Sequence, residues 1–352
     1  MRVGEPINVY DYEALAASKL SSGAYAFYAG GANDELTLRD NVEAFRRWQL
    51  RPRVLRDVAD PSTSVVVLGE EIALPVLVAP MAYQRTAHPD GEVAMANAAR
   101  EAGTIVCHST FATASPAEVA ATGVRRWYQL YVARDEGLTR EMCVQARELG
   151  FTALVVTVDL PVPGRRERDL RSGWAVPREL IVPSVGLRGL KPHEVGGVVS
   201  PSVTWNDVES LASASSLPVV IKGILTAEDA LLACEHGAVA VVVSNHGARQ
   251  LDGVPATIDV LPEVVEAVAG RTEVLVDGGI RRGTDVVKAL ALGASAVLAG
   301  RAPLWGLAAA GQAGARHVLE LLRAELELAL QLLGCRSPAE LTRDHVRRAP
   351  LA

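Results

Sequence analysis

Eight short runs of apolar, largely β-branched residues recur along the chain, with helical patterns between them. Each run is almost continuously hydrophobic, which is typical of a parallel strand that is covered on both faces. The intervening segments are amphipathic, and several end in glycine, a common helix stop. The runs occupy residues 74–80, 103–109, 125–132, 151–159, 217–223, 238–247, 272–279 and 294–301.

This order of elements predicts an α/β fold of the (β/α)8 TIM-barrel class. Strand and helix repeated eight times in one direction close into a barrel. The competing architecture, an open doubly wound sheet, has about five to seven strands and a glycine-rich GxGxxG fingerprint after the first one. Here the first run ends in APMAYQ, which lacks that fingerprint.

The chain outside the eight runs is interpreted as part of the same domain, 1–352. Residues 1–65 carry helical patterns and predict an N-terminal helical cap. The segment 170–203 is rich in Gly, Pro and Val with weak periodicity, and predicts a loop or lid between strands four and five. Residues 317–334 predict a C-terminal helix.

Composition excludes several classes of protein. The net charge is -6, aromatic residues make up 5%, and no basic block occurs, so we expect no nucleic-acid partner. The four cysteines form no CxxC pair, and no metal site is expected. We find neither a signal-peptide pattern nor an apolar run long enough for a bilayer. We therefore expect a soluble, cytoplasmic protein without a membrane partner.

Polar and glycine residues follow almost every predicted strand. Active sites of such barrels form at the carboxyl ends of the strands, and convergence from several strands is what a pocket requires. The strand-end residues are Pro80, Met81, Ala82, His108, Ser109, Gln129, Tyr131, Thr157, Asp159, Arg165, Arg166, Lys222, Ser244, Asn245, His246, Arg249, Asp277, Gly278, Gly279, Gly300 and Arg301.

Strands seven and eight are followed by VDGGIRRG and LAGRA, which predict a phosphate site. Gly278, Gly279 and Gly300 would let the backbone approach an anion closely. Arg281 and Arg301 would supply positive charge. The pattern does not say whether a substrate or a cofactor carries the phosphate.

His246 is the residue most suited to proton transfer, because histidine titrates near neutral pH. Arg249 follows three residues later and could grip a carboxylate with two parallel bonds. Asp159 could orient His246 and stabilise its charged form. Lys222 leaves two hypotheses open: a Schiff-base lysine of an aldolase-type barrel, or a fixed cation beside a flavin.

The ordered motifs GGANDELTLRDN, APMAYQRTAHPDGE, WYQLYV, TVDLPVPGRRERD, LPVVIKGILTAEDA, SNHGARQLDGVPATI and VDGGIRRGTDVVKALALGA resemble the FMN-dependent 2-hydroxy acid oxidase and dehydrogenase family over nearly the whole chain. The resemblance implies FMN across the barrel mouth. The implied cofactor contacts are Pro80, Met81, Ala82, Ser109, Gln129, Thr157, Lys222, Ser244, Asp277, Gly278, Gly279, Arg281, Gly300 and Arg301.

The resemblance also implies the chemistry. His246, aided by Asp159, would take the hydroxyl proton of an (S)-2-hydroxy acid while a hydride passes to the flavin. In the alternative, His246 removes the carbon proton. Arg249 and Arg166 would bind the substrate carboxylate, and Tyr131 would hydrogen-bond near the reacting oxygen. Oxygen would be the electron acceptor, giving hydrogen peroxide, and family members are commonly homotetramers.

Two departures from the family pattern bear on the substrate. Phe27 stands where the family usually has a carboxylate-binding tyrosine, and Phe111 stands where glycolate oxidase has a tryptophan. Phe27 and Tyr83 resemble the hydroxymandelate oxidase branch, so an aromatic acid such as mandelate or 4-hydroxymandelate is expected. The alternatives are a glycolate- or lactate-type oxidase, an acceptor-dependent dehydrogenase, and a flavin-binding barrel without turnover.

Overall fold

The centre of the structure, a computed structural model that describes residues 5–350, is a closed barrel of eight parallel strands. The strands in chain order are β1 (Trp48–Leu50), β2 (Val65–Val67), β3 (Glu70–Ile72), β4 (Val76–Val78), β5 (Ile105–Ser109), β6 (Arg125–Leu130), β7 (Leu154–Thr157), β8 (Ile181–Val182), β9 (Leu187–Arg188), β10 (Val219–Ile224), β11 (Ala240–Val243), β12 (Glu273–Asp277), β13 (Ala296–Ala299) and β14 (Val346–Arg348).

Strands β4 to β7 and β10 to β13 form the barrel, and β13 pairs with β4 to close it. Each of the eight predicted runs contains one of these strands, except that β10 extends one residue beyond the carboxyl end of its run, so the predicted (β/α)8 barrel is confirmed. The predicted runs are longer than the strands because the flanking apolar residues lie in buried loops. Cross-strand pairing is parallel throughout, for example Lys222 opposite Thr157 on β7 and Val242 on β11.

Helices surround the barrel, as the amphipathic segments predicted. They are α1 (Val9–Lys19), α2 (Ser22–Ala29), α3 (Leu36–Glu43), α4 (Gly91–Glu101), α5 (Pro116–Ala120), α6 (Glu136–Glu148), α7 (Glu167–Ser172), α8 (Trp205–Ser215), α9 (Ala227–Glu235), α10 (Thr257–Val268), α11 (Gly283–Ala291) and α12 (Arg301–Leu333). The glycines expected to stop α4, α6, α9 and α11 all have positive φ, between 67° and 105°. This left-handed conformation is the usual glycine helix stop.

Alternating side chains of each barrel strand enter two separate apolar clusters. On β7, Val155 points into the barrel interior, whereas Leu154 and Val156 pack against the helices. The interior cluster also contains Val67 and Ile72 of the antiparallel β2–β3 hairpin. Because Leu68 N–H donates to Glu273 at the start of β12, this hairpin closes the amino end of the barrel and leaves the carboxyl end as the open one.

The predicted helical cap contains α1, α3 and a 3-10 turn (Ala44–Arg47). It also contains two elements that the sequence did not predict, helix α2 and strand β1. Asn41 of α3 exchanges two side-chain amide hydrogen bonds of 2.8 Å with Asn245, which follows β11. The cap is thus fixed to the rim of the barrel mouth. The predicted cap and domain also include residues 1–4 and 351–352, which lie outside the described residues.

The segment 170–203 has more regular structure than the predicted loop. It contains the end of α7, the antiparallel β8–β9 hairpin and a 3-10 turn (Pro192–Gly197). Val176, Val182 and Val195 are buried and anchor it. Elements this short show no periodicity in a sequence, which explains the weak pattern. We call residues 165–199 the β7–β10 segment.

The predicted C-terminal helix is the second half of a longer one, because α12 begins at Arg301 directly after β13. The helix is broken at Ala310 and at Gly311, whose φ is 59°. Across the break, a Cβ on Gly306 would lie 2.3 Å from the Gly314 carbonyl oxygen, so the two halves meet backbone to backbone. Among the helices of residues 5–350, none combines the length and the hydropathy that crossing a bilayer requires.

Candidate active site

A cleft opens at the carboxyl ends of the barrel strands, where the sequence predicted the site. The structure brings most of the predicted residues together around it. The predicted residues that line the cleft are Phe27, Pro80, Met81, Ala82, Ser109, Tyr131, Thr157, Arg166, Lys222, His246, Arg249, Asp277, Gly278, Gly279, Arg281, Gly300 and Arg301.

The three remaining predicted residues lie just behind the lining. Asp159 contacts His246, Ser244 contacts Lys222, and Gln129 accepts a hydrogen bond from Ser109 at 3.2 Å. Two other strand-end residues, His108 and Arg165, do not line the cleft. His108 packs between Tyr128 and Phe151, and burial lowers its pKa to about 3. The side chain of Arg165 is 70% exposed.

His246 lies between an acid and a phenol. Its Nδ1 is 2.7 Å from Oδ1 of Asp159, and its Nε2 is 3.2 Å from the hydroxyl of Tyr131. Since a carboxylate only accepts hydrogen bonds, the pair with Asp159 assigns the ring proton to Nδ1. The lone pair of Nε2 therefore points towards the cleft, on the side of Tyr131.

The protonation states of these three groups follow from burial and charge. Burial lowers the pKa of His246 below its ordinary value, although Asp159 opposes the shift. Burial alone would raise the pKa of Asp159, but the charges of His246 and Lys222 outweigh it and hold that pKa below its usual range. Burial raises the pKa of the Tyr131 phenol. At neutral pH the site therefore contains a neutral imidazole, a carboxylate and a phenol.

The backbone that carries His246 is in an uncommon conformation. His246, Gly247 and Ala248 have φ values of 58°, 60° and 63°, which is a left-handed turn with non-glycine residues at two positions. Such conformations cost about 1–3 kcal/mol each and persist only where their surroundings hold them. The hydroxyl of Ser244 accepts the His246 N–H at 3.1 Å, which holds the turn and aims the imidazole into the cleft.

Arginine side chains gather on one side of the cleft. Burial and the neighbouring charges of Arg166 and Arg301 lower the pKa of Arg249 to about 9. Asp169 offers Arg166 partial compensation at 3.6 Å, with both side chains almost buried. A crowded set of cations is relieved when an anion binds. This side of the cleft is therefore suited to a carboxylate.

Phe27 reaches the cleft from α2, but its ring is largely covered. The Arg249 guanidinium carbon lies 4.6 Å from the ring centroid, and the indole of Trp174 stacks on the same ring at 4.9 Å. Only 5% of Phe27 is exposed. The ring faces of Phe27 are thus mostly occupied by protein groups, and Phe27 supports the guanidinium of Arg249.

Lys222 is held by two partners. Its Nζ donates to Ser244 Oγ at 2.8 Å and lies 3.1 Å from Oδ2 of Asp277. Burial lowers the pKa of Lys222, but Asp277 and Asp159 raise it more, so the net value is above the ordinary one. A Schiff-base lysine must lose its proton to attack a carbonyl. The geometry therefore opposes the aldolase hypothesis and supports the fixed-cation hypothesis.

The predicted phosphate site lies where β12 and β13 end, beside the first turn of α12. A helix amino terminus offers free N–H groups to an anion. Gly279 has φ of 82°, and a Cβ there would lie 1.9 Å from the Asn41 carbonyl oxygen. Glycine is thus required at 279 by packing against the cap, a different reason from the predicted approach of an anion.

Arg301 has more structural contacts than the sequence suggested. Its Nε, Nη1 and Nη2 donate to the carbonyl oxygens of Tyr28, Gly247 and Gly30, at 2.8, 3.0 and 2.9 Å. A guanidinium has five N–H donors, so two remain for a ligand. Arg301 therefore joins the cap to the His246 turn while it lines the cleft.

Unpaired polar atoms indicate that the cleft is built for a polar cofactor. Among residues 5–350, Gln129 Nε2, Thr157 Oγ1 and Asp277 Oδ1 are buried without a hydrogen-bond partner. Buried polar groups normally have partners, because leaving one unpaired costs about 1–3 kcal/mol. The pyrimidine edge of a flavin presents carbonyl oxygens and an N–H group in alternation. The Gln129 amide, the Thr157 hydroxyl and the Lys222 ammonium can supply the matching donors and acceptor. The residues present fit FMN.

Four residues of the cleft wall were not among the residues predicted from the strand ends. Leu160 follows β7, Pro192 and Val195 come from the β7–β10 segment, and Tyr28 comes from α2. Leu160 is next to Asp159 in sequence, so its position gave a usable signal. The others could not be found from strand ends, since their place depends on how segments outside the barrel fold back over it.

Comparisons with known proteins agree with this geometry. The sequence model of a family described as FMN-dependent dehydrogenase matches residues 16–348. The L-lactate oxidase of Nostoc sp. is 50% identical over 349 residues, covering 95% of this chain and 96% of the relative. Glycolate oxidase 3 of Arabidopsis thaliana is 49% identical over 97% of this chain and 96% of its own length. A crystal structure of mandelate oxidase with (S)-4-hydroxymandelic acid aligns with a TM-score of 0.94 at 43% identity, covering 98% of this chain and 100% of that one.

Proposed function

The chain belongs to the family of FMN-dependent 2-hydroxy acid oxidases, with FMN as its cofactor, and on that premise we propose that it oxidises an aromatic (S)-2-hydroxy acid, such as mandelate or 4-hydroxymandelate, to the 2-oxo acid. Oxygen is the proposed electron acceptor, and hydrogen peroxide is the second product. The observation that carries the proposal is the His246–Asp159 pair facing a cleft beside Arg166 and Arg249.

The proposed base is Nε2 of His246. Bound FMN supplies a ring that accepts the hydride from the substrate carbon. Because Asp159 holds the proton on Nδ1, Nε2 is free to take the proton of the substrate hydroxyl. Asp159 then stabilises the imidazolium that forms. Tyr131 stays protonated, and when the substrate is bound its single O–H turns from Nε2 to donate a hydrogen bond to the reacting oxygen.

The proposed carboxylate site consists of Arg166 and Arg249. Both line the cleft together with His246. A guanidinium binds a carboxylate through two parallel charge-assisted hydrogen bonds, which fixes orientation as well as position. Held this way, the acid presents its hydroxyl group, rather than its side chain, to the base.

The preference for an aromatic side chain is supported by the apolar residues that line the cleft. Tyr83, Phe111, Leu160 and Val195 are among the residues that line the cleft. Phe111 is tilted against Tyr131 with centroids 5.5 Å apart. A wall of this composition is suited to a phenyl group, which gains more from apolar contact than a methyl group does.

A second candidate is an oxidase of small acids such as lactate or glycolate. It is favoured by the 50% identity to an L-lactate oxidase, which exceeds the 43% identity to the mandelate oxidase structure. The departures at Phe27 and Phe111 favour the aromatic acid, since they affect residues of the cleft itself. An acceptor-dependent dehydrogenase and a flavin protein without turnover are the remaining alternatives, and the experiment below separates them.

An anaerobic absorbance spectrum of the FMN-loaded protein, taken before and after addition of (S)-mandelate, tests the proposal. Bleaching of the flavin bands, followed by their return and by peroxide release on admission of air, is the expected result. Bleaching by lactate or glycolate alone would replace the aromatic proposal with the small-acid one. Bleaching without recovery in air would indicate a dehydrogenase, and no bleaching by any 2-hydroxy acid would contradict catalysis.

We further propose that the protein is a homotetramer, which the family resemblance implies, and that it is cytoplasmic, as the sequence composition led us to expect. Size-exclusion chromatography with light scattering tests the oligomeric state directly. A monomer at micromolar concentration would contradict that part of the proposal without affecting the assignment of the reaction.

A further inference from the structure

A buried carboxylate that the chemistry above does not use lies just outside the cleft, in the first turn of α4. Glu92 is 3% exposed. Its oxygens accept the backbone N–H groups of Gln84 at 3.0 Å, Thr113 at 2.8 Å and Ala114 at 3.0 Å. The Thr113 hydroxyl lies 2.9 and 3.1 Å from the two oxygens.

These hydrogen bonds join two different loops of the barrel mouth. Gln84 follows Tyr83 in the β4–α4 loop, and Thr113 comes two residues after Phe111 in the β5–α5 loop. Tyr83 and Phe111 both line the cleft, with ring centroids 6.3 Å apart. The Tyr83 N–H also donates to the Phe111 carbonyl oxygen at 3.1 Å. Glu92 therefore lies behind the aromatic wall and is bonded to both of its loops.

The wall needs such support because Tyr83 is in a strained conformation. Its φ is 60°, in the left-handed region that bulky residues rarely adopt. A residue keeps such a conformation only where its surroundings fix the backbone on both sides. The Tyr28 hydroxyl donates to the Tyr83 carbonyl oxygen at 2.7 Å, and Glu92 accepts the next N–H, that of Gln84.

We propose that Glu92 is a positioning residue for substrate selection: by bonding to both loops, it fixes the distance between Tyr83 and Phe111 and so the shape of the wall that receives the substrate side chain. The link to substrate choice rests on the proposed function, whereas the link to the wall rests on the hydrogen bonds alone. Because Glu92 does not line the cleft, proton transfer to His246 does not depend on it.

Substitution of Glu92 by glutamine tests the hydrogen bonds specifically, because it keeps the shape of the side chain and removes its charge. A carboxylate offers two accepting oxygens, and an amide offers one oxygen and an N–H2 group that donates. In Glu92→Gln, one of the N–H groups of Gln84, Thr113 or Ala114 must therefore face another donor. Hydrogen bonds to a charged group are also about twice as strong as neutral ones.

The test uses the FMN-loaded Glu92→Gln variant, with Glu101→Gln at the exposed end of the same helix as the control. We expect the ratio of kcat/KM for (S)-mandelate to that for glycolate to fall about 10-fold, the size of one unpaired buried donor. Binding of benzoylformate, followed by its perturbation of the flavin spectrum, should weaken to the same degree. Turnover at saturating glycolate should stay close to that of the wild type and of Glu101→Gln.

Two outcomes would overturn the proposal. An unchanged selectivity ratio with unchanged benzoylformate affinity would show that the wall does not need Glu92. An equal loss for both acids, together with release of FMN, would show a purely structural role. If Glu92→Gln does not fold, Thr113→Val, which removes one hydroxyl and keeps the side-chain shape, should lower the ratio in the same direction, and an unchanged ratio would count against the proposal.

A failure of the proposed function is distinguishable from a failure of this inference. If the wild type oxidises no 2-hydroxy acid, the crystal structure of FMN-loaded Glu92→Gln decides the matter. Displacement of Tyr83 and Phe111 from their wild-type positions would support the positioning role. A wall that has not moved would overturn it.

Discussion

The indole of Trp174 is stacked on the ring of Phe27, with ring centroids 4.9 Å apart and planes at 28°. Trp174 belongs to the β7–β10 segment and Phe27 to the cap, so the stack joins the two parts of the chain that flank the cleft. Gly23 of α2 makes the contact possible, because a Cβ there would lie 2.5 Å from the indole Cδ1. The stack also supports Phe27 beneath the guanidinium of Arg249.

The first prediction follows from this stack. Trp174→Ala should raise the KM for (S)-mandelate about 3- to 10-fold, since an aromatic pair is worth about 0.5–1.5 kcal/mol beyond its buried area. The rate of flavin reduction at saturation should change little, because His246 and Asp159 are untouched. Trp174→Phe, which keeps a stacked ring, is the control. Equal KM values for the alanine and phenylalanine variants would contradict the prediction.

The second prediction concerns the pair of His246 and Asp159. Asp159→Asn should slow anaerobic flavin reduction at least about 100-fold, because the amide neither fixes the required tautomer nor stabilises the imidazolium. Stopped-flow absorbance measures this rate directly. Asp60→Asn, the same change at an exposed residue, should leave the rate unchanged. A reduction rate within a few-fold of wild type would remove Asp159 from the mechanism.

The third prediction is a pH profile. The base must be neutral, and burial holds the pKa of His246 below its ordinary value of about 6.5. Flavin reduction should therefore be constant around pH 7 and should fall only at more acidic pH, as the imidazole takes a proton. Asp159 raises the pKa of His246, so the acidic limb of Asp159→Asn should lie at lower pH still. A limb above pH 7 in the wild type would contradict this assignment.

The fourth prediction concerns Phe27, one of the two residues that depart from the family pattern. Phe27→Tyr would offer a hydroxyl to the substrate carboxylate, and a hydrogen bond to a charged group is worth about 1.5–3 kcal/mol. The KM for lactate or glycolate should fall about 10-fold, with a smaller gain for mandelate. Steady-state oxygen consumption with the three acids measures the effect. If mandelate gained more than the small acids, residue 27 would not be a determinant of substrate size.

The fifth prediction separates two reasons why a position can require glycine, a positive φ and the lack of space for a Cβ atom. Gly279→Ala combines a positive φ of 82° with a Cβ placed 1.9 Å from the Asn41 carbonyl oxygen. Gly253→Ala has a similar φ of 87°, but no atom lies within 4 Å of the added Cβ. Backbone strain alone costs about 1 kcal/mol, so Gly279→Ala should lower the melting temperature further than Gly253→Ala and should also lose FMN. Similar melting temperatures and FMN contents in both would contradict the packing argument.

The barrel and most of its mouth were predictable from the sequence, for a physical reason. Strands buried on both faces must be apolar along their whole length, and they stop being apolar where they reach the open end. Lys222 is conspicuous because it directly follows the buried residues Val219, Val220 and Ile221, and His246 because it comes shortly after the buried run Ala240–Val243. The residues that follow the eight strands in the sequence therefore indicate which side chains meet at the mouth of the barrel.

The parts that were not predictable depend on contacts between distant segments. The β2–β3 hairpin that closes the amino end has only three-residue strands, too short to show a period. The covering of Phe27 by Trp174 and Arg249 brings together three separate stretches of the chain. The role of Glu92 could not be found either, since a glutamate in the first turn of a helix is ordinarily a surface residue that favours the helix dipole.

The pairing of β13 with β4 and the packing of Asn41 against Gly279 join the two ends of the chain at the cleft. A ribosome delivers the cap and β4 first and the residues that complete their contacts last. During synthesis, the cap and β4 therefore lack these contacts until most of the chain has been made. Arg281, Gly300 and Arg301 line the cleft and come late in the chain, so a chain that stops before β13 lacks part of the proposed FMN site and should not retain the cofactor.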